Sequence, residues 1–571
     1  MLGFTFLKSK NELKKIRQNL YSIENIVQTN IVDSENTKAY FKVPGHYPFS
    51  IIQFNTSSII IEGAIYNADE QVVNNKIEEI AKKLSSNGNY KELIISFQKE
   101  MVGEYLVTIA VDPDFKKVVF FNDYFGRLAV HYYCDDSLCM VSRNIQDVIE
   151  YLPSLIINKN VLTDLVLLGY PLNKDTLFEK VKYFDCGEIH EFDVEKFLLT
   201  RVHAASIDLT YKSKYKNRKD FVSGIKTDLL RTVHQATSTI HKRKRKILCD
   251  LSGGFDTRTV FGCLQALNIE AKYVSNDILG NESEIAARLL HLFKVENFGV
   301  IENGKPFYQN FSNESLTFIT NCTASLESTR ICLEALKPLH QKYSKDDVRI
   351  GGIGFTDFIR KGYRDDSEDL LSGLVSGKFN GISLKNACSM AGTDPEGYYQ
   401  YLNRIISSWP ERSNEGKHKK LFFRRTLVMQ SRLPDDRERL DFWVMHPMWD
   451  HRLCLEVLRH FSLNWRGYYT HSLLLKAIDE RLVQIPVDKP YINFRKMRKM
   501  YFNDLKDNSE SYRKFRDTVL RMLNIKGEEK RNILIPKFVN LGLACSEDHS
   551  QFDISYLTAL DNYLGVIKKM R

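Results

Sequence analysis

The chain has 571 residues, 43% hydrophobic and 27% charged, a balance that excludes a disordered or fibrous protein and leaves room for about two to four domains. Its 81 basic and 71 acidic side chains leave a net charge of +10, which suits an anionic substrate without requiring nucleic acid. Ten cysteines show no CxxC or zinc spacing and no apolar run reaches the roughly 20 residues of a membrane helix, so the expectation is a cytoplasmic protein with reduced thiols and neither membrane nor nucleic-acid partners.

Residues 1–205 read mainly as strands. Leu2-Gly3-Phe4-Thr5-Phe6 reads as the first. Ser57–Asn67 is a strand pattern broken at Gly63, and Asp69–Lys83 carries Val72, Val73, Ile77, Ile80 and Ala81 at helical spacing. Gly103–Ala110, Val118–Phe121 and Ala129–Tyr133 follow as strands, with a turn at Asp112-Pro113-Asp114. Strand pairs joined by turns predict antiparallel sheets packed face to face.

Three segments of this half resemble the glutaminase domain of the asparagine synthetase family: Glu62-Gly63-Ala64-Ile65-Tyr66-Asn67, Asn122–Tyr133, and Asp175-Thr176-Leu177-Phe178 followed by Gly187. The resemblance implies an α+β N-terminal Ntn-hydrolase-like sandwich over 1–205. The family's working members carry a cysteine nucleophile at position 2, where this chain has Leu2, and Glu62 replaces an Asn of the family pattern. Leucine has no nucleophilic atom, so no glutamine hydrolysis is expected.

Phe221–Ile240 reads as a helix, and the basic run His241–Lys246 as its solvated C-terminus, where cations are favoured by the helix dipole. Then comes Lys246-Ile247-Leu248-Cys249-Asp250-Leu251-Ser252-Gly253-Gly254-Phe255-Asp256-Thr257-Arg258. It reads as strand, glycine turn and helix start, the arrangement in which backbone N–H groups receive an anion. An acid beside an anion cradle makes sense if it holds a magnesium ion shared with the phosphates. No Walker-type Lys-Ser/Thr pair follows the glycines, and the decoy Gly373–Phe379 is one spacer short. The Ser-Gly-Gly-x-Asp-Thr pattern resembles the pyrophosphate loop of the ATP pyrophosphatase group, which cleaves ATP to AMP and pyrophosphate.

Ala271–Ser275 is a second short strand, and Asn281–Glu284 opens a helix with Ala286, Leu289, Leu290 and Phe293 on one side. Strand-helix alternation predicts a parallel, doubly wound sheet. Arg349–Tyr363 repeats the strand, glycine turn and acid, with Asp357 the acid near Gly351, Gly352 and Gly354. Residues 365–420 read as polar and irregular, with a loop at Trp409–Lys417. Asp441–Leu453, Thr470–Ala477 and Ile485–Lys489 resemble further family segments in the family's order. His446, His451 and His471 read as packing residues, and Asp450 as structural. Residues 500–571 are basic and helical in character.

The resemblance implies an α/β ATP-pyrophosphatase (adenine nucleotide α-hydrolase-like) domain over 206–571, with ATP and Mg2+ as cofactors. It assigns Leu251, Ser252, Gly253, Gly254, Asp256, Thr257 and Gly352 to nucleotide, and Val274 and Ser275 to adenine. Asp256 and Asp357 fall to magnesium, and Arg258 and Lys489 to catalytic roles. The expected reaction is adenylation of a small-molecule or peptide carboxylate, release of pyrophosphate, and capture by an amine, as in β-lactam synthetases and lasso-peptide cyclases. An amidation enzyme for a surface-polysaccharide sugar acid and a non-catalytic nucleotide-binding protein remain open alternatives, as does a homodimer.

Overall fold

The computed structural model describes residues 3–10, 26–54, 57–111, 117–152, 154, 156–276, 282–301, 344, 346–352, 354–360, 369–376, 383–428, 443–462, 465 and 467–487. Leu2, Lys489 and the 500–571 segment lie outside them.

Alternation along the first half builds two antiparallel sheets. The strands are β1 (Gly3–Ser9), β2 (Ile26–Asp33), β3 (Thr37–Pro44), β4 (Phe49–Phe54), β5 (Ser57–Ile65), β6 (Gly103–Val111), β7 (Lys117–Asn122), β8 (His131–Cys134), β9 (Leu138–Ser142), β10 (Lys182–Tyr183), β11 (Ile189–Asp193) and β12 (Leu198–His203). They pair in the orders β10-β8-β9-β1-β3-β2 and β12-β11-β7-β6-β5-β4. Phe4 and Phe6 of β1 share one core with Phe41 of β3, Ile60 of β5, Leu106 of β6 and Phe120 of β7, so the sheets pack face to face. Phe6 meets Phe120 at 5.6 Å and Phe192 at 5.8 Å between ring centroids. The strand expected to break at Gly63 continues through it. Gly63 has φ +91°, and a Cβ there would lie 2.0 Å from the Glu104 carbonyl oxygen, so only glycine lets β5 pass β6 this closely.

Helices cover both outer faces. Glu70–Ser85 and Tyr90–Glu100 set Val73, Ile77, Ile80, Ile94 and Phe97 against Ile59, Tyr105, Val107 and Phe121. On the other side Lys159–Leu167 packs on Leu7, Tyr133 and Met140, together with helices from much later in the chain. These later helices correct the reading of 365–420 as irregular: Leu370–Val375, Leu384–Ala391, Pro395–Ser408 and Asn414–Thr426 are helical. Each starts at a capping side chain, Asp369, Ser383, Asp394 or Ser413, that accepts a backbone N–H in the first turn. Tyr398, Tyr401, Leu402 and Ile406 form the buried stripe of the third.

Asp164 sits in this shared layer. Its carboxylate accepts from the hydroxyls of Tyr398 (2.7 Å) and Tyr401 (3.2 Å) and from the Leu172 N–H (2.9 Å). Burial is the largest influence on it and pushes its pKa from 3.8 up to about 7, against those hydrogen bonds. The folded chain therefore holds a proton that the unfolded chain has lost between these two values, and stability falls as pH rises through that window. Asp164→Asn is expected to remove this slope, worth about 1.4 kcal/mol per pH unit. Urea midpoints of wild type and variant at pH 5 and pH 7.5 check it: equal pH dependence in the two would contradict the assignment.

The second half begins with the 25-residue helix Arg218–Lys242, capped by Asn217. The basic run ends this helix and leads into a parallel sheet. Its strands are β13 (Lys246–Asp250), β14 (Lys272–Asn276), β15 (Phe298–Ile301), β16 (Asp347–Ile350) and β17 (Trp443–Met445), in the order β15-β14-β13-β16-β17. All four pairings are parallel. The chain runs outward from β13 to one side, then returns to continue on the other, so a topological switch point lies between β13 and β16. The two halves touch directly. The Thr239 hydroxyl donates to the Tyr66 carbonyl at 2.8 Å, and His451 stacks on Tyr124 at 4.8 Å. Among the described residues, no helix is long and apolar enough to cross a membrane.

Candidate active site

The crevice outside the carboxyl ends of β13 and β16 is where an open parallel sheet binds ligands. Both glycine turns singled out in the sequence meet there. The first, Leu251 to Gly254, leads into helix Phe255–Ala266, whose N-cap Gly254 has no side chain to cap it. The backbone N–H groups of that first turn have no partner within the helix itself. The second turn, after β16, leads into the short helix Thr356–Arg360. A Cβ on Gly352 would lie 2.6 Å from the Asp256 carbonyl carbon and 2.6 Å from the Thr257 nitrogen. The second turn is thus pressed against the start of the first helix, a contact only glycine permits. Asp256 and Asp357 each lie in the first turn of their helices.

Within the first loop the Ser252 N–H donates to Thr257 Oγ1 at 3.0 Å, the two hydroxyls are 3.0 Å apart, and the Gly254 N–H donates to Ser252 Oγ at 3.1 Å. These bonds shape the loop as a compact cradle. The Leu251 N–H donates to the Val274 carbonyl at 2.8 Å, which ties the loop to the end of β14. Ser275, next along, is 1% exposed, and its Oγ has no hydrogen-bond partner among the described residues. The same holds for Thr356 Oγ1 beside Asp357, on a residue that is 0% exposed. Two buried hydroxyls without partners among the described residues, one ending β14 and one opening the helix after β16, fit a polar ligand there.

Arg258, given a catalytic role by the family resemblance, turns to the backbone around the loop. Its guanidinium is buried and donates to four backbone carbonyls: Gly253 (3.1 Å), Leu482 (3.0 Å), Ile485 (2.7 Å) and Pro486 (3.0 Å). It positions the loop by holding the Gly253 carbonyl inward, and it fastens the 482–486 segment beneath. Lys489, the other expected catalytic residue, lies outside the described residues.

The sequence reading assigned no role to the pair below the turns. Arg349 of β16 grips Asp250 of β13 through Nε (2.9 Å) and Nη2 (2.8 Å), bracing the two strands just before they part into the crevice. The only signal was opposite charge at two strand ends. The histidines are packing residues. His471 Nε2 meets Thr259 Oγ1 at 2.8 Å, His446 lies against Gly351, and the His451 Nε2–H donates to the Lys99 carbonyl at 3.1 Å. Burial holds the His451 pKa below its ordinary value. Asp450 caps helix His451–His460 through the Arg452 N–H, and it accepts from Thr232 and the Arg452 guanidinium. These bonds hold its pKa low against the opposing effect of burial, which is the largest single influence.

No group of three or more His, Cys, Asp or Glu that could hold a metal occurs among the described residues. Magnesium shared with phosphates needs only one or two carboxylates, and Asp256 and Asp357 at adjoining turns fit that donor set.

No protein-family model matches the chain, and no curated protein matches it. The chain is similar to the solved structure of glutamine phosphoribosylpyrophosphate (PRPP) amidotransferase from B. subtilis complexed with ADP and GMP. The identity is 9%, covering 72% of this chain and 88% of that chain, with a TM-score of 0.20. It is also similar to a structure described as the allosteric regulatory enzyme of purine biosynthesis. There the identity is 9%, covering 73% of this chain and 93% of that one, with a TM-score of 0.21. Likeness at this level bears on neither activity nor substrate.

Proposed function

We propose that the chain is an ATP-dependent ligase of the asparagine synthetase type, forming an amide and releasing AMP and pyrophosphate. The observation that supports it is the meeting of two glycine turns at the switch point, each followed by an acid, Asp256 and Asp357, in the first helical turn. Ser252, Gly253, Gly254 and Thr257 would receive the β- and γ-phosphates, and Ser275 would face the adenine end. Asp256 and Asp357 would hold magnesium, which supplies charge neutralisation of the leaving pyrophosphate. The loop lacks the lysine with which Walker-type enzymes work on the γ-phosphate. It suits a pyrophosphate that leaves whole.

A carboxylate does not react with an amine directly, because its oxygen is a poor leaving group. Attack of a carboxylate oxygen on the α-phosphorus releases pyrophosphate and leaves an acyl-adenylate. The amine nitrogen then adds to the acyl carbon, AMP departs, and the nitrogen loses a proton. The amine is not made here from glutamine. Beside the start of β1, Glu62 and Arg143 form a buried ion pair, 2.9 Å apart. The Phe4 N–H is spent on Glu62 Oε2 at 3.1 Å.

The test is chromatography of labelled nucleotide after incubation with magnesium and a panel of carboxylates and amines. AMP and pyrophosphate appearing only with a carboxylate is the expected result. ADP and phosphate would overturn the mechanism, and tight ATP binding with no turnover on any acid would favour a binding protein.

A further inference from the structure

The hairpin joining β8 to β9 brings two of the chain's ten cysteines face to face. Cys134 and Cys139 are register partners. The Asp135 N–H donates to the Leu138 carbonyl at 2.9 Å, so Asp135 and Leu138 are the hydrogen-bonded pair closing the turn. Cys134 and Cys139, one step along, are then a non-hydrogen-bonded pair. In such a pair the Cα atoms approach to about 4.5 Å and both side chains leave the same face. That is inside the roughly 4.4–6.8 Å that a disulfide spans. The Cys134 thiol reaches the Asp135 carbonyl at 3.9 Å.

The two sites differ in the way an exchange reaction needs. Cys139 is buried in the core between the sheets, whereas Cys134 is half-buried at its edge. The neighbouring Cys139 holds the Cys134 thiol below the ordinary thiol range, against burial and the nearby Asp135 and Asp136. Burial pushes Cys139 well above it. Cys134 is therefore the attacking sulfur and Cys139 the one that follows. Cys249, Cys263 and Cys454 are fully buried, and burial raises their thiols as well. They present no comparable edge-on sulfur.

We propose that Cys134 and Cys139 are a dithiol–disulfide site that exchanges with small-molecule disulfides. The Cys134 thiolate attacks one sulfur of the small disulfide, forming a mixed disulfide and releasing one thiolate, which takes up a proton. The Cys139 sulfur then attacks Cys134 Sγ. The mixed disulfide breaks, and the second small thiol leaves with the proton of Cys139. Two protein thiols and one disulfide become one protein disulfide and two thiols, with two electrons passing to the small molecule. The bridge staples the mouth of the β8–β9 hairpin.

The full chain is equilibrated with reduced and oxidised glutathione, quenched with acid, alkylated, and mapped by peptide mass spectrometry. The expected product is a Cys134–Cys139 bridge that forms while the fold is intact. Cys139→Ser should instead accumulate glutathione on Cys134, and Cys134→Ser should slow oxidation at Cys139 at least tenfold. Should either variant fail to fold, the wild-type map decides alone. Wild-type protein that stops at glutathione on Cys134, or that keeps both thiols reduced under a large excess of oxidised glutathione, would overturn the proposal.

Discussion

Asp256→Asn and Asp357→Asn are each expected to abolish pyrophosphate release while leaving the fold intact. Both residues lie in the first turn of their helices at one crevice, and both carboxylates would serve the same ion. Asparagine keeps the shape and one oxygen but loses the charge. A charge-assisted contact is worth about 1.5–3 kcal/mol, so magnesium-dependent ATP affinity should drop about 10- to 100-fold. Turnover should drop further, because the ion acts most on the leaving group. Calorimetric titration with ATP and magnesium reads the affinity, and thermal melting of the same samples reads the fold. A variant with near-wild-type turnover at saturating magnesium would remove that residue from the metal site.

Arg143→Met is expected to cost about 3–5 kcal/mol of stability. Arg143 and Glu62 are 2% and 1% exposed, and Tyr47 and the Phe4 N–H complete the shell around the Glu62 carboxylate at 3.3 and 3.1 Å. Taking away the guanidinium leaves a buried carboxylate held by weaker donors. The double variant Glu62→Leu with Arg143→Met removes both charges and should recover much of the loss, since replacing a whole buried pair by apolar groups is often neutral. Denaturant midpoints of both single variants and the double measure this, and a double-variant loss equal to the sum of the two single losses would mean the pair is not coupled.

What could be read from the sequence was local. Gly103–Ala110 and Val118–Phe121 were legible because their alternation repeats over a full strand, and β6 and β7 match them to within a residue. The turn from Lys246 to Arg258 was legible because strand, glycines and helix start are contiguous. The helices of 370–428 were missed because their apolar stripes are diluted by Lys, Arg and Glu on the outer face. The caps Asp369, Ser383, Asp394 and Ser413 were the signal that could have found them. The backbone carbonyls that Arg258 holds were not legible in the sequence. Three of its four acceptors lie more than two hundred residues away, and nothing in the local pattern distinguishes a cation aimed at phosphate from one that holds carbonyls. Sequence separations of 81 and 99 residues hid the pairing of Glu62 with Arg143 and of Asp250 with Arg349.

The helical layer shared by Leu7, Val161 and Leu165 with Leu384, Tyr398 and Leu402 sets an order on biosynthesis. A ribosome that has delivered residue 205 has delivered every strand of the two antiparallel sheets. It has delivered helix Lys159–Leu167 on one outer face but not the helices that pack around it, which arrive only with residues 370–428. Until then the nascent sandwich carries bare apolar surface and Asp164 lacks both of its tyrosine donors. The first half therefore has to wait for the second, and a chain cut at 205 should be a client of chaperones where the whole chain is not.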